Sequence, residues 1–266
     1  MTVRRAEASD VAAMTALYAQ CFSDSAAFRA GVFTQVLPLG DALLSEDAAG
    51  KPAAMVLLPQ FSLSSGQTVG YLYALCTRPD CRGQGHMTAL LNAAHRVCAA
   101  RGDIWTMLIP ATGSLAQTYA RFGYAPVGFL RECTVSAPPA STVCPPLRRA
   151  VEADAPQIDR LWRMSGSQMR LTRPMSLYRS LDRLYGASGG GFYLCGGGYV
   201  FLDAEGPLTI REAVASDGDV AALLRAVPSH FGLVQVRCRL PSDHGAPYVY
   251  ARGASFVSGA LNLLFD

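Results

Sequence analysis

The sequence is short of lysine, of clustered charge and of long apolar runs, and each shortage excludes something. Lys51 is the only lysine; every other basic residue is an arginine. No basic run exceeds two residues, and 23 basic residues against 20 acidic ones leave a formal net charge of only +3. A nucleic-acid-binding surface needs clustered Lys and Arg, so no nucleic-acid partner is expected. No apolar stretch approaches the roughly 18 residues that cross a bilayer, so no membrane partner is expected either. The N-terminus, MTVRRAEASD, lacks the apolar core of a signal peptide. The expected location is therefore cytoplasmic.

Eight cysteines are present, but the spacings that give cysteine a special role are missing. There is no CxxC and no Cys/His pair at zinc spacing, so no metal is expected. Cys21, Cys76, Cys98, Cys133, Cys195 and Cys238 fall inside apolar or periodic segments and read as reduced thiols acting as small apolar side chains. No Ser/His/Asp or Cys/His nucleophile set is evident.

What is there is a half-apolar chain. With 50% hydrophobic residues over 266 positions it has enough apolar matter for a buried core, which excludes wholesale disorder. The length suits one large domain or two ordinary ones. Residues 136–146, SAPPASTVCPP, hold four prolines and read as a linker. The linker separates a first domain, 1–135, from a second, 147–266. An internal echo supports that cut. Arg4-Arg5-Ala6 with Asp10, Leu17 and Tyr18 recurs at the same spacing as Arg148-Arg149-Ala150 with Asp154, Leu161 and Trp162. Each half then begins as a short strand, an Asp N-cap and an amphipathic helix, as tandem repeats do.

Periodicity predicts a mixed α/β order in the first half. Helices are expected over 11–22 and 25–36, strands over 42–45 and 53–58 around a turn at 47–50, and one strong strand over 69–77. A helix over 85–100, a strand over 104–109, a helix over 114–122 and a strand over 128–135 follow. In the second half, 154–169 and 175–184 read as helices. The seven glycines of 186–198 surround Phe192 to Cys195 and read as turns between strands. The apolar C-terminus, ALNLLFD, has a strand-like stretch over 261–265 and leaves a homo-oligomer open.

The stretch that carries chemistry is LCTRPDCRGQGHMTALL, residues 75–91. A strand ends near Thr77, Pro79 forbids its continuation, Arg82-Gly83-Gln84-Gly85 turns, and a helix opens at once. Glycines let the backbone approach a ligand closely. The unpaired N–H groups of the first helical turn, with the helix dipole behind them, then make an anion site suited to a pyrophosphate. Three readings compete. The turn merely opens a helix; or Gly83-x-Gly85 begins a dinucleotide fingerprint with Asp103 as its acid, although Thr88 stands where the third glycine belongs; or the turn holds coenzyme A. A P-loop fails, because no lysine follows.

The third reading coincides with a family resemblance. Arg82-Gly83-Gln84-Gly85-His86-Met87 resembles the R-x-x-G-x-[G/A] signature of the GNAT acetyltransferase superfamily. Met87 in place of a small residue, Cys21-Phe22-Ser23-Asp24-Ser25 and Tyr119-Ala120-Arg121-Phe122-Gly123-Tyr124 resemble its enhanced-intracellular-survival (Eis-like) subgroup. The resemblance implies tandem GNAT-like domains with a mixed α+β sheet: residues 1–135 bind acetyl-CoA, and 147–266 form a degenerate second domain without the motif. The subgroup's third, sterol-carrier-like domain is not expected. It also implies roles: Leu75, Cys76 and Thr77 pair backbone groups with the pantetheine arm; Arg82, Gly83, Gln84, Gly85, His86, Met87 and Thr88 hold the pyrophosphate. Ser114 and Leu115 lie by the distal CoA. Tyr119 protonates the departing thiolate.

Plainer roles stand beside these. Tyr119 sits in an amphipathic helix and packs; Arg82 is a solvated turn residue; His86 is a first-turn backbone donor and His95 an ordinary helix-face residue. Asp24, Phe28 and Tyr73 are candidate acceptor contacts, with capping of the following helix the simpler assignment for Asp24. An acetyl-cysteine at Cys76 is disfavoured, since no base is placed to activate it. The C-terminal carboxylate that serves as base in the resembling enzymes has only Asp266 as its counterpart. The expected function is acetyl-CoA-dependent N-acetyl transfer to a primary amine of a small molecule. The alternatives are a non-catalytic acyl-CoA-binding regulatory protein and a nucleotide-binding oxidoreductase.

Overall fold

A computed structural model of the chain describes residues 1–165, 170–216, 219–242, 244–253 and 261–262. The sequence-based strand over 261–265 falls mostly outside these residues, and Asp266 and Met169 fall wholly outside them. Two compact units divide at Val127/Gly128, and residues 249–253 belong to the first. No helix among the described residues is long and apolar enough to cross a membrane.

The first unit opens with β1 (Thr2–Arg5), α1 (Val11–Cys21) and α2 (Ala26–Gly31), which continues as a π-turn over Val32–Val36. Then come β2 (Gly40–Glu46), β3 (Pro52–Leu63), β4 (Thr68–Tyr71), β5 (Tyr73–Thr77), α3 (His86–Ala100), β6 (Trp105–Leu108) and α4 (Gly113–Ala120). β7 (Ala125–Ser136) leads out of it. Strands β1, β2, β3 and β4 pair antiparallel in that order, and β6 lies parallel to β4. A parallel neighbour needs a crossover, and α3 supplies it. Its Leu90, Leu91 and Ala94 are buried with Leu43, Ala54, Val56 and Leu58 of the sheet. Sealing a leucine there contributes roughly 1.5–3 kcal/mol.

The second unit contains β8 (Arg148–Arg149), α5 (Ala155–Met164), β9 (Leu171–Thr172), α6 (Met175–Gly186), β10 (Gly191–Cys195), β11 (Gly198–Asp203), β12 (Thr209–Ala215), α7 (Val220–Phe231) and β13 (Gln235–Ser242). Its pairing repeats that of the first unit. β8, β10, β11 and β12 run antiparallel in succession, and β13 lies parallel to β12 across α7.

The last strand of each unit explains why the units do not divide at residue 135. Residues 129–136 of β7 pair with β13, whereas Tyr250 to Gly253 of β14 (Ala246–Gly253) pair with β6. Each sequence half thus lends its final strand to the other unit's sheet. Residues 137–147 carry no helix or strand.

Two local expectations need correction. Asp10 and Asp154 do not cap a helix with their side chains. Each accepts a backbone N–H three residues earlier, Glu7 at 2.7 Å and Val151 at 2.8 Å, and each holds the arginine six residues earlier, Arg4 and Arg148, at 2.7 Å. The echo is real at the level of contacts, but its device is a pinned turn. Likewise Ser25, not Asp24, caps α2 by accepting from the Phe28 N–H at 3.1 Å.

Candidate active site

The expected single strand over 69–77 is broken, and the break makes the site. Val69, Gly70 and Tyr71 are in register with Trp105, Thr106 and Met107. The Leu72 N–H donates to the Met107 carbonyl at 2.8 Å, and there the ladder to β6 ends. Ala74 has φ +52, a left-handed conformation that costs a side-chain-bearing residue roughly 1–2 kcal/mol. Past it β5 pairs with β3 alone among the described strands. Its other edge, at Leu75, Cys76 and Thr77, faces the gap left by β6.

A cleft of about 710 Å³ runs along that edge. It is lined by Leu75, Cys76 and Thr77, by Arg82, Gly83, Gly85, His86, Met87 and Thr88, and by Leu115 and Tyr119. The sequence-based cofactor residues are therefore brought together, with two exceptions. Gln84 turns back to donate to the Asp80 carbonyl at 3.0 Å, and Ser114 is exposed beside Thr112. Gly83 and Gly85 adopt φ +75 and +87, and the space where a Cβ would stand is open at both. Gly85 is the N-cap of α3, so the first N–H groups of that helix face the cleft end. Arg78 fixes the approach to this turn. It donates to Asp47 at 2.8 Å, Asp80 at 2.7 Å and the Pro52 carbonyl at 3.1 Å. His86 is buried and in contact with Ser45 Oγ through Nδ1 at 2.8 Å, so it anchors the start of α3 against β2.

A second cleft of about 260 Å³ is lined by Tyr18, Phe22, Asp24, Phe28, Tyr71, Tyr73 and Ala74. It shares Phe22, Leu75, Ala111, Leu115 and Tyr119 with the first. Asp24, Phe28 and Tyr73 thus meet in one place. The Tyr18 hydroxyl donates to Asp24 at 2.6 Å. Burial, then the neighbouring Tyr73 and Asp24, pushes the Tyr18 phenol far above its ordinary range, and burial does the same to Tyr73, so both stay neutral.

Tyr119 stands where the clefts join. Burial pushes its hydroxyl up to about 12, which keeps the proton on at neutral pH. Its ring meets Tyr124 edge-on, with centroids 5.9 Å apart. His95 is not the plain helix-face residue expected, since it contacts the Tyr124 hydroxyl through Nε2 at 2.9 Å.

Sequence reasoning missed Tyr18, Tyr71, Ala74 and Ala111 as lining residues. The aromatic positions read as core, and nothing marks an alanine destined for positive φ. Asp103, the acid a dinucleotide site would need, is engaged by Arg101 at 2.7 Å and Gln60 at 2.6 Å, and its side chain is fully buried. It has no free face for a ribose. Among the described residues no three His, Cys, Asp or Glu side chains are grouped to hold a metal.

Residues 2–127 match the family model for the acetyltransferase (GNAT) domain. No curated protein sequence matches the chain. Several solved structures share the fold. A protein of Enterococcus faecalis described as a probable N-acyltransferase aligns over 94% of this chain and 72% of its own, with 16% identity and TM-score 0.72. Eis1 from Mycobacterium abscessus aligns over 94% and 72%, with 16% identity and TM-score 0.62. A tandem GNAT protein from the clavulanic acid biosynthesis pathway aligns over 97% and 99%, with 12% identity and TM-score 0.62. The chain thus shares its fold with those proteins, a tandem GNAT protein among them, and its residues 2–127 match the acetyltransferase (GNAT) domain.

Proposed function

We propose that the protein is an acetyl-CoA-dependent N-acetyltransferase that moves an acetyl group directly to a primary amine of a small molecule. The observation that carries this reading is the junction of the two clefts at Tyr119. One cleft offers a strand edge that no other described strand pairs with and a glycine turn at a helix N-terminus, which suit a pantetheine arm and a pyrophosphate. The other offers one carboxylate, Asp24, among aromatic rings, which suits an ammonium group.

In this reading the amine, once neutral, attacks the thioester carbonyl where the clefts join. Backbone N–H groups at the kink after Leu72 polarise the carbonyl oxygen. The tetrahedral intermediate collapses, the C–S bond breaks, Tyr119 donates its proton to the leaving sulfur, and the proton shed by the amine nitrogen returns through water to the Tyr119 oxygen. The phenol carries its proton at neutral pH, so the proton is present at the start of every turnover.

The test is calorimetric titration with acetyl-CoA and with NAD, of the protein and of Gly85→Glu, followed by an amine screen. Saturable acetyl-CoA binding that Gly85→Glu abolishes, with no NAD binding, supports the cradle. Tyr119→Phe is then expected to lower kcat about 10²- to 10⁴-fold with CoA affinity kept. Binding without turnover of any amine would make the protein an acyl-CoA binder, and full turnover by Tyr119→Phe would remove the assigned acid.

A further inference from the structure

The smaller cleft is walled by rings and carries one charge. Tyr18, Phe22 and Phe28 reach it from α1 and α2, and Tyr71 and Tyr73 from the place where β4 gives way to β5. The rings pack among themselves: Tyr18 and Phe22 have centroids 4.4 Å apart, and Tyr71 and Tyr73 5.8 Å apart. Among the described residues that line this cleft, Asp24 is the only acid, and none is Lys, Arg or His. The Tyr18 hydroxyl occupies one acceptor site of that carboxylate at 2.6 Å, and a carboxylate offers about four.

We propose that the acceptor is a compact arylalkyl amine with a single positive charge, of the phenethylamine type, a proposal that rests on the reading of the protein as an N-acetyltransferase. Charge sets the first limit. An ammonium that leaves water for this cleft regains a partner in Asp24. A second ammonium has no acid to meet among the described lining residues, and a desolvated charge without a partner is strongly unfavourable. Polyamines and polycationic aminosugars are therefore selected against. An amino acid fails for the opposite reason: its carboxylate would meet Asp24 with no lining cation to offset the repulsion.

Size sets the second limit. The cleft of about 260 Å³ holds about nine groups of the volume of a water, ~30 Å³ each. Phenethylamine has about that many non-hydrogen atoms, whereas a three-ring aminosugar has roughly three times as many or more. Shape sets the third. A flat aryl group stacks offset or edge-on among the rings, and their faces also favour the ammonium beside them. A straight alkyl amine has the same charge without those contacts. Asp24 and Tyr119 line the same cleft, so a short flexible arm lets the nitrogen enter as an ammonium at Asp24, lose its proton to water and attack beside Tyr119.

The full-length protein, saturated with acetyl-CoA, is given phenethylamine, tyramine, butylamine, spermidine, lysine or kanamycin. Acetylated amine is read by mass spectrometry, because the eight cysteines would react with a thiol reagent. Binding of phenethylamine and of neutral 2-phenylethanol is measured by calorimetry without acetyl-CoA. The kcat/KM for phenethylamine and tyramine is expected to exceed that for the other four by about 10²-fold. Phe28 lines the smaller cleft and not the larger one. Phe28→Leu keeps an apolar side chain without the ring, and is expected to lower the preference for phenethylamine over butylamine several-fold with acetyl-CoA affinity kept, its urea midpoint serving as the check on the fold. Asp24→Asn is expected to weaken binding of phenethylamine about tenfold and to leave that of 2-phenylethanol unchanged.

If butylamine, spermidine, lysine or kanamycin is acetylated as well as phenethylamine or better, this acceptor class is overturned and N-acetyl transfer stands. If no amine is acetylated by protein that binds acetyl-CoA, the transfer reading falls and the acceptor class falls with it. An unchanged preference in folded Phe28→Leu overturns selection by the rings, and equal weakening of the amine and the alcohol in Asp24→Asn overturns selection by charge.

Discussion

His95 donates from Nε2 to the hydroxyl of Tyr124 at 2.9 Å. The direction follows from the neighbours. Arg252 contacts Nδ1 and can only donate, so Nδ1 is the acceptor and Nε2 carries the hydrogen. Tyr124 passes the chain on, donating to Thr106 Oγ1 at 3.1 Å, and its ring braces Tyr119. A neutral imidazole is built into the support of the proposed acid.

That arrangement sets a pH dependence. Burial, with Arg252 beside it, lowers the His95 pKa from 6.5 to about 4. The unfolded chain then binds more protons than the folded one between those values. The stabilisation from the neutral ring is present above about pH 6.5 and is lost as pH falls toward 4. Urea midpoints measured from pH 7.5 to 4 are expected to fall across that window, and less steeply in His95→Gln. An identical slope in the variant would show that other groups set the dependence.

Asp24 already holds the Tyr18 hydroxyl, yet one carboxylate accepts several hydrogen bonds. Asp24→Asn removes the charge and keeps the shape. Its KM for a cationic amine is expected to rise about tenfold or more, the worth of a charge-assisted hydrogen bond, with acetyl-CoA affinity unchanged. An unchanged KM would leave Asp24 as a structural partner of Tyr18.

The positive φ of Gly85 separates strain from binding. Gly85→Ala forces an alanine to φ +87 at a cost of about 1–2 kcal/mol, with its methyl facing the cleft. Gly66 has φ +85 in the β3–β4 turn, and a Cβ there also meets open space. Both variants are expected to lose similar stability in denaturant, while only Gly85→Ala weakens acetyl-CoA binding.

In the second unit Arg173 and Glu212 form a two-point ion pair, both bonds 2.7 Å and both side chains 2% exposed. Tyr199 donates to the same carboxylate at 2.6 Å, and Arg173 lies over the Trp162 ring at 3.8 Å. Arg173→Met strands a buried carboxylate and is expected to cost about 3–5 kcal/mol. Arg173→Met with Glu212→Met is expected to recover much of that loss, read as the shift in urea midpoint.

Features that depend on neighbours along the chain were legible in the order of the amino acids. Apolar periodicity marks α3, the Pro79 stop and the paired glycines mark the turn before it, and repeated Arg and Asp positions mark the two units. Local chemistry decides these, so local reading finds them. Three features were set by packing in space. Ala74 bends to φ +52 and parts β5 from β6, which no alanine announces, because the strand is held by β3 on one side and released on the other. The final strands change units, because hydrogen-bond partners in a sheet are chosen by space and not by sequence distance. Cys21 and Cys76, each read alone as a small apolar residue, line one cleft only after α1 is laid against β5, because packing and not sequence distance brings them together.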